Sequence, residues 1–214
     1  MPVAVEEPAR PVIIGRSSSH FTRVTRIFAS EMRVDHSFQI VRDLMSFDPD
    51  DYGGNPALRL PTLRTARGLW FGALHICREL SRLSSAGRRT VWPEDLDEPA
   101  LANAQELVVQ AMATEVSLIM AKVSGADEGN AHHLKMRKSL SNMMSWLESN
   151  ARQAIEALPP DRDLSYLEVT LFCLVTHLEF RGVLPVDPYP TLKQLSRRFA
   201  ERASAAETTY RFDA

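Results

Sequence analysis

The stretch Asn55–Thr65, reading NPALRLPTLRT, constrains the fold of this 214-residue chain more than any other. Gly53-Gly54-Asn55-Pro56 is a turn signal, and Pro61 then leads the short run Thr62–Thr65. That places the proline where a chain enters a sheet rather than in the middle of one. A proline is also the residue before which a cis peptide is accessible. A cis Leu60–Pro61 bond would turn the Leu60 N–H and C=O out of the ladder, where they offer a ligand peptide a strand-like pair of hydrogen bonds. An ordinary trans edge-strand proline is the plainer alternative, and the order of elements around the stretch decides between them.

Upstream, Pro11-Val12-Ile13-Ile14-Gly15 is a β-branched run ending at glycine, hence a strand, and residues 1–10 read as a flexible tail. Ser17-Ser18-Ser19 supplies helix-cap chemistry, and from His20 to Arg33 the apolar residues Phe21, Val24, Ile27, Phe28 and Met32 recur at helical spacing. Ser37–Leu44 reads as a second strand. Beyond Pro61, Gly68–Phe71 pairs back on Thr62–Thr65 through the Ala66-Arg67-Gly68 turn, and Gly72–Leu83 resumes helical spacing. Residues 85–98, with Gly87, Trp92-Pro93 and a cluster of acids, form a linker. From residue 99 to 214 every periodic segment is helical: Ala100–Val123, Gly129–Leu158 stopped by Pro159-Pro160, Ser165–Glu179 and Thr191–Ala203. Ser165 and Glu168 make a capping box, with Leu164 and Val169 as its hydrophobic staple. The fold class is therefore α/β thioredoxin-like over 11–84, followed by an all-α domain.

Charge and composition exclude several classes of function. A formal net charge of −2 and a sequence pI near 6.3 argue against nucleic acid or an anionic membrane as the main partner. No apolar run approaches the ~20 residues that span a bilayer, and Met1–Arg10 carries Glu6, Glu7 and Pro8 instead of a secretion signal, so a cytoplasmic location is expected. Cys77 and Cys173 each fall within an apolar helical pattern, as buried free thiols do. No metal site is expected, because His132 and His133 are neighbours that point to different sides of a helix. Ser19-His20 adjacency argues against a hydrolase triad, and no cysteine stands before the first helix to support disulfide chemistry.

In this order of elements the chain resembles the cytosolic glutathione S-transferase superfamily from about Val12 to its C-terminal end, and within it a serine-type bacterial member. Asn55-Pro56-Ala57-Leu58-Arg59-Leu60-Pro61-Thr62-Leu63 matches the family's N-P-x-x-x-[VL]-P-x-L pattern. Ser165-Tyr166-Leu167-Glu168 matches its capping-box signature with Glu in place of Asp, and Tyr189-Pro190-Thr191-Leu192 matches its tail pattern. The resemblance implies glutathione as co-substrate, a small hydrophobic electrophile, a homodimer and a detoxifying role.

In that family the residue that activates the glutathione thiol lies in the turn before the first helix. Counting back from Arg23, Arg26 and Ile27, the position falls on Ser19, with Ser18 and Ser17 as alternatives. A hydroxyl at a helix N-terminus can donate to a thiolate and hold its pKa below the free value of ~8.5, and the same residue can equally serve only as an N-cap. Leu60, Pro61, Gly72, Ala73 and Arg16 are the expected glutathione contacts, and Met112, Glu115 and Val116 are the expected substrate wall, with plain core packing as their alternative. One departure stands out: Gly72-Ala73 occupies the place of the family's Glu-Ser or Gln-Ser, whose side chains hold the γ-glutamyl end. Losing a charged and a neutral hydrogen bond lowers affinity by about 30- to 1000-fold unless another group compensates, Arg16 or Arg67 first among them. Two functions follow: a glutathione transferase, or a ligand-binding or protein-interaction member that has kept the fold and lost the thiol chemistry.

Overall fold

The computed structural model describes residues 10–213, so the expected tail over residues 1–10 lies, except for Arg10, outside the described residues. The chain divides into two compact units. One runs through Gly87 and includes the segment from Ser204 onward; the other is Arg88–Ala203.

The first unit is built on a four-stranded mixed sheet in the order β2-β1-β3-β4. β1 (Val12–Gly15) is central and almost wholly buried; it runs parallel to β2 (Ser37–Ile40) and antiparallel to β3 (Thr62–Thr65), which pairs antiparallel with β4 (Gly68–Phe71). A parallel neighbour needs a crossover helix, and α1 (His20–Glu31) supplies it, with α2 (Ala73–Leu83) packed alongside. Ile13, Ile14, Val24, Ile27, Phe28, Leu63, Ile76 and Leu80 are fully buried in this unit, Ile14 on the sheet face against Gly53. This is the thioredoxin-like arrangement expected from the sequence.

β2 is shorter than the expected Ser37–Leu44. Its last ladder bond is Val41 N–H to the Gly15 carbonyl at 2.9 Å, after which β1 has no further residues to pair with, and Asp43 draws the chain into a turn by accepting the Met45 N–H. α1 stops at Glu31 because Arg33 takes a left-handed φ of 52°, so the helical pattern to Arg33 overran by two residues.

The second unit contains α3 (Pro99–Val123), α4 (Ala131–Ala157), α5 (Tyr166–Arg181) and α6 (Pro190–Ala200), with a short parallel pair of β5 (Thr90–Val91) and β6 (Leu164–Ser165). A short helix, α7 (Ala203–Glu207), follows. α5 is apolar on nearly all sides and forms the centre, consistent with its near-total burial. Asn130 caps α4 through the His133 N–H, and the Glu148 carboxylate caps α6 by accepting the Thr191 and Leu192 N–H groups at 2.8 and 3.0 Å. Cys77 and Cys173 are both buried, and neither is in a disulfide. Among the described residues no helix is long and apolar enough to cross a membrane.

Candidate functional site

Strand register gathers the sequence-predicted residues of the first unit. Ile14 pairs with Thr62, and Thr62 pairs with Phe71. The residues just past this row are therefore Gly15 and Arg16 leaving β1, Pro61 and Leu60 entering β3, and Gly72 and Ala73 leaving β4. All three loops open at the same end of the sheet, and the turn carrying Ser17, Ser18 and Ser19 is one of them.

Gly15 lets α1 start close to the sheet, since a Cβ there would lie 2.5 Å from the Thr22 side chain. The turn closes with Ser19 N–H donating to the Arg16 carbonyl at 3.2 Å. Ser19 is extended and is the N-cap of α1, its Oγ accepting the Thr22 N–H at 3.2 Å. A hydroxyl used in this way still has its own proton to donate, and it stands at the positive end of the helix dipole. Ser18 and Ser19 are half-buried. Ser17 is buried; its N–H donates to Asp213 Oδ2 at 2.8 Å, while no hydrogen bond reaches its Oγ. The Arg16 Nε is likewise buried without a hydrogen-bond partner.

The Leu60–Pro61 bond is cis. A single buried amide shapes the loop before it: Asn55 Nδ2 donates to the Arg59 carbonyl at 2.7 Å, and its Oδ1 accepts the Ala57 N–H at 3.0 Å, an Asx turn. Thr62, fully buried, donates its hydroxyl to the Tyr52 carbonyl at 2.8 Å and fixes the start of β3.

Gly72 is the N-cap of α2 with φ 80° and ψ 132°, and it gives that helix no side-chain cap. The Ala73 methyl is buried and offers no polar atom either. Arg67 lies in the β3–β4 turn, at the opposite end of that ladder from Gly72. Its guanidinium donates to both oxygens of the fully buried Glu79 at 3.1 Å and lies over the Trp70 ring, because a carboxylate inside a protein requires cationic partners. Arg82 provides the second cation.

In the second unit, Met112 and Glu115 are fully buried on α3 and Val116 is half-buried. The Glu115 carboxylate lies 2.8 Å from Nδ1 of His177 on α5, and both are buried. The sequence gives no sign of this pair, since the two residues are 62 positions apart and neither falls in a motif. Asp213, another residue missed from sequence, has the same character: its contact with Ser17 spans 196 residues.

Several solved structures share this fold. A glutathione S-transferase of Methylobacillus flagellatus with glutathione bound superposes with a TM-score of 0.73 at 17% identity, over 94% of this chain and 100% of that one. A glutathione S-transferase of Methylobacterium radiotolerans in complex with glutathione sulfonate gives 0.70 at 18% identity, over 96% and 98%. A glutathione transferase family member from Pseudomonas fluorescens with bound glutathione gives 0.73 at 16%, over 94% and 99%. No family model and no curated protein matches the chain. The chain has the glutathione S-transferase fold.

Proposed function

We propose that the protein is a glutathione-dependent transferase that binds glutathione at the open end of the sheet and passes its thiolate to a small hydrophobic electrophile. The observation that carries this reading is the Ile14–Thr62–Phe71 row, which brings the serine turn, the Leu60–Pro61 step and the Gly72 helix start to one edge. The fold neighbours from Methylobacillus flagellatus and Pseudomonas fluorescens hold glutathione, which supports the ligand class.

Ser19 is the thiol-facing group in this reading. Ser17 is disfavoured because its N–H already holds the Asp213 carboxylate. A thiolate about 4 Å from that charge would be opposed by about 4 kcal/mol at an effective dielectric near 20. Leu60 supplies backbone hydrogen bonds to the ligand peptide, with Pro61 setting the loop. Arg16, whose Nε is buried and unbonded, replaces part of what Gly72-Ala73 lacks. Of the expected electrophile wall, half-buried Val116 is the member open to a ligand, whereas Met112 and Glu115 are fully buried and take the core-packing alternative, Glu115 paired with His177. A cytoplasmic homodimer, with α2 and α3 at the interface, completes the proposal.

Gly72-Ala73 favours a second reading, in which the fold survives as a binding or interaction module. Calorimetric titration with glutathione separates the two, since heat and a thermal upshift at millimolar ligand are expected of the transferase. Ser19 variants then test the chemistry. Ser19→Asp keeps a capping acceptor and has no proton to donate at neutral pH, so it should leave stability nearly unchanged while abolishing thiolate absorbance; Ser19→Ala should lose both, with about 0.5–2 kcal/mol of stability. Thiolate formation that persists in Ser19→Asp would remove Ser19 from the mechanism.

A further inference from the structure

The segment from Ser204 to Asp213 is fastened along one face of α1. Ser204 Oγ donates to Glu31 Oε1 at 2.7 Å, and Ser30 Oγ donates to Glu207 Oε2 at 2.8 Å. The buried Arg23 donates to the Ala205 carbonyl at 3.0 Å and to Thr208 Oγ1 at 3.4 Å, and its guanidinium lies 4.3 Å from the centre of the Tyr210 ring. Arg23, Arg26 and Ser30 recur at the i, i+3, i+7 spacing that defines a helix face, so the docking surface is continuous. Its far end delivers the Asp213 side chain, 3% exposed, to the turn before α1.

A carboxylate so deeply buried costs free energy unless it is held by donors, so its placement is specific. One oxygen accepts the Ser17 N–H at 2.8 Å; the other accepts no hydrogen bond and has Arg211 Nε at 3.9 Å. Arg26 belongs to the same electrostatic neighbourhood. Its guanidinium is held below its ordinary pKa, by burial first and then by Arg211, with Asp213 working in the opposite direction and Arg23 adding to the lowering. Ser19 closes the turn with its N–H on the Arg16 carbonyl and its hydroxyl caps the helix, while the Ser17 N–H ties the same turn to Asp213.

We propose that Asp213 is a positioning residue for Ser19: by accepting the Ser17 N–H it locks the Arg16–Ser19 turn and fixes where the Ser19 hydroxyl points. The proposal rests on the transferase reading for its catalytic consequence, but its structural half stands apart from it. The segment from Ser204 is then part of the active-site framework as well as of the packing of α1.

The test compares wild type with Asp213→Asn, which keeps an acceptor oxygen, and Asp213→Ala, which does not. Amide exchange is read first. Asp213→Ala should speed exchange of the Ser17 and Ser19 N–H by about 10-fold or more, as expected for loss of a charge-assisted hydrogen bond, and Asp213→Asn should stay close to wild type. Steady-state kinetics come second: kcat should fall about 10- to 100-fold in Asp213→Ala with KM for glutathione within about 3-fold of wild type, and Asp213→Asn should recover most of it. Equal Ser19 exchange in all three proteins overturns the proposal, as does an unchanged kcat in Asp213→Ala or a loss in Asp213→Asn as deep as in Asp213→Ala. If wild type binds no glutathione by calorimetry, the transferase reading fails on that measurement, and the positioning role is decided by amide exchange alone.

Discussion

At the level of single residues, Gly72 shows how backbone and ligand requirements compete. Its φ of 80° lies in the region that favours glycine, yet a Cβ added there meets nothing closer than His75 Nδ1 at 3.8 Å. The obstacle to a larger residue is therefore the backbone conformation, at about 1–3 kcal/mol, and not space. Gly72→Glu with Ala73→Ser should tighten glutathione binding by about 30-fold or more, through a carboxylate for the ligand's ammonium and a hydroxyl for its carboxylate. Stability should fall by the conformational amount, because the φ of residue 72 does not relax while α2 holds its place. Calorimetry and a urea titration on the same double variant read the two effects separately. Binding no tighter than wild type would show that the pocket has been rebuilt beyond these two positions, and would favour the non-catalytic reading.

Among the elements, the start of α5 is the most sharply specified, and the structure alters one detail of what the sequence implies. Ser165 Oγ accepts the Glu168 N–H at 3.0 Å, as a capping residue should. The return arm differs from the expected box: the Glu168 carboxylate accepts the Ser165 hydroxyl at 2.8 Å and two hydrogen bonds from Arg162 at 2.8 and 2.9 Å, since a guanidinium fork is the stronger donor. Burial works to raise the Glu168 pKa, and the bonds from Arg162 and Ser165 outweigh it, so the carboxyl sits below its ordinary value. A depressed folded-state pKa contributes stability that is present above the unfolded value and is lost as pH falls through the folded one. The urea midpoint of wild type should therefore drop as pH falls from about 4.3 downward. Glu168→Gln should be less stable at neutral pH and should lose less of its midpoint over that interval; an equal acid loss in both proteins would place the sensitivity elsewhere. The periodic pattern made all of this region legible except Arg162, which belongs to a loop and follows no spacing rule. Strand ends were read less well for a related reason: β2 stops where β1 runs out of partners, a property of the sheet and not of Val41–Leu44.

For the whole molecule, the order of elements could be read because each is encoded locally, by periodicity, caps and the Pro61 stretch. The closure of the first unit could not, because it depends on pairs such as Arg23 with Ala205 and Ser17 with Asp213, which sit far apart in sequence and match no motif. Arg23 looks, in sequence, like one cation of a helical R-x-x-R pattern; in the structure it is 5% exposed and reaches the segment from Ser204. A chain ending at Ala203 would lose the two hydrogen bonds that Arg23 makes to Ala205 and Thr208. It would also lose the contacts of Ser30 and Glu31 with Glu207 and Ser204. Hydrogen bonds to a charged group contribute about 1.5–3 kcal/mol each, so the Arg23 pair alone accounts for about 3–6 kcal/mol of the stability of the first unit. Truncation after Ala203 is expected to lower protection of the α1 amides by that free energy in hydrogen exchange. Arg23→Lys in the full chain should reproduce part of the loss, since an ammonium lacks the planar fork that serves two acceptors and the Tyr210 ring together. Unchanged α1 protection in the truncated protein would mean that the sheet and α2 hold α1 by themselves, and that the segment from Ser204 serves only to bring Asp213 to the serine turn.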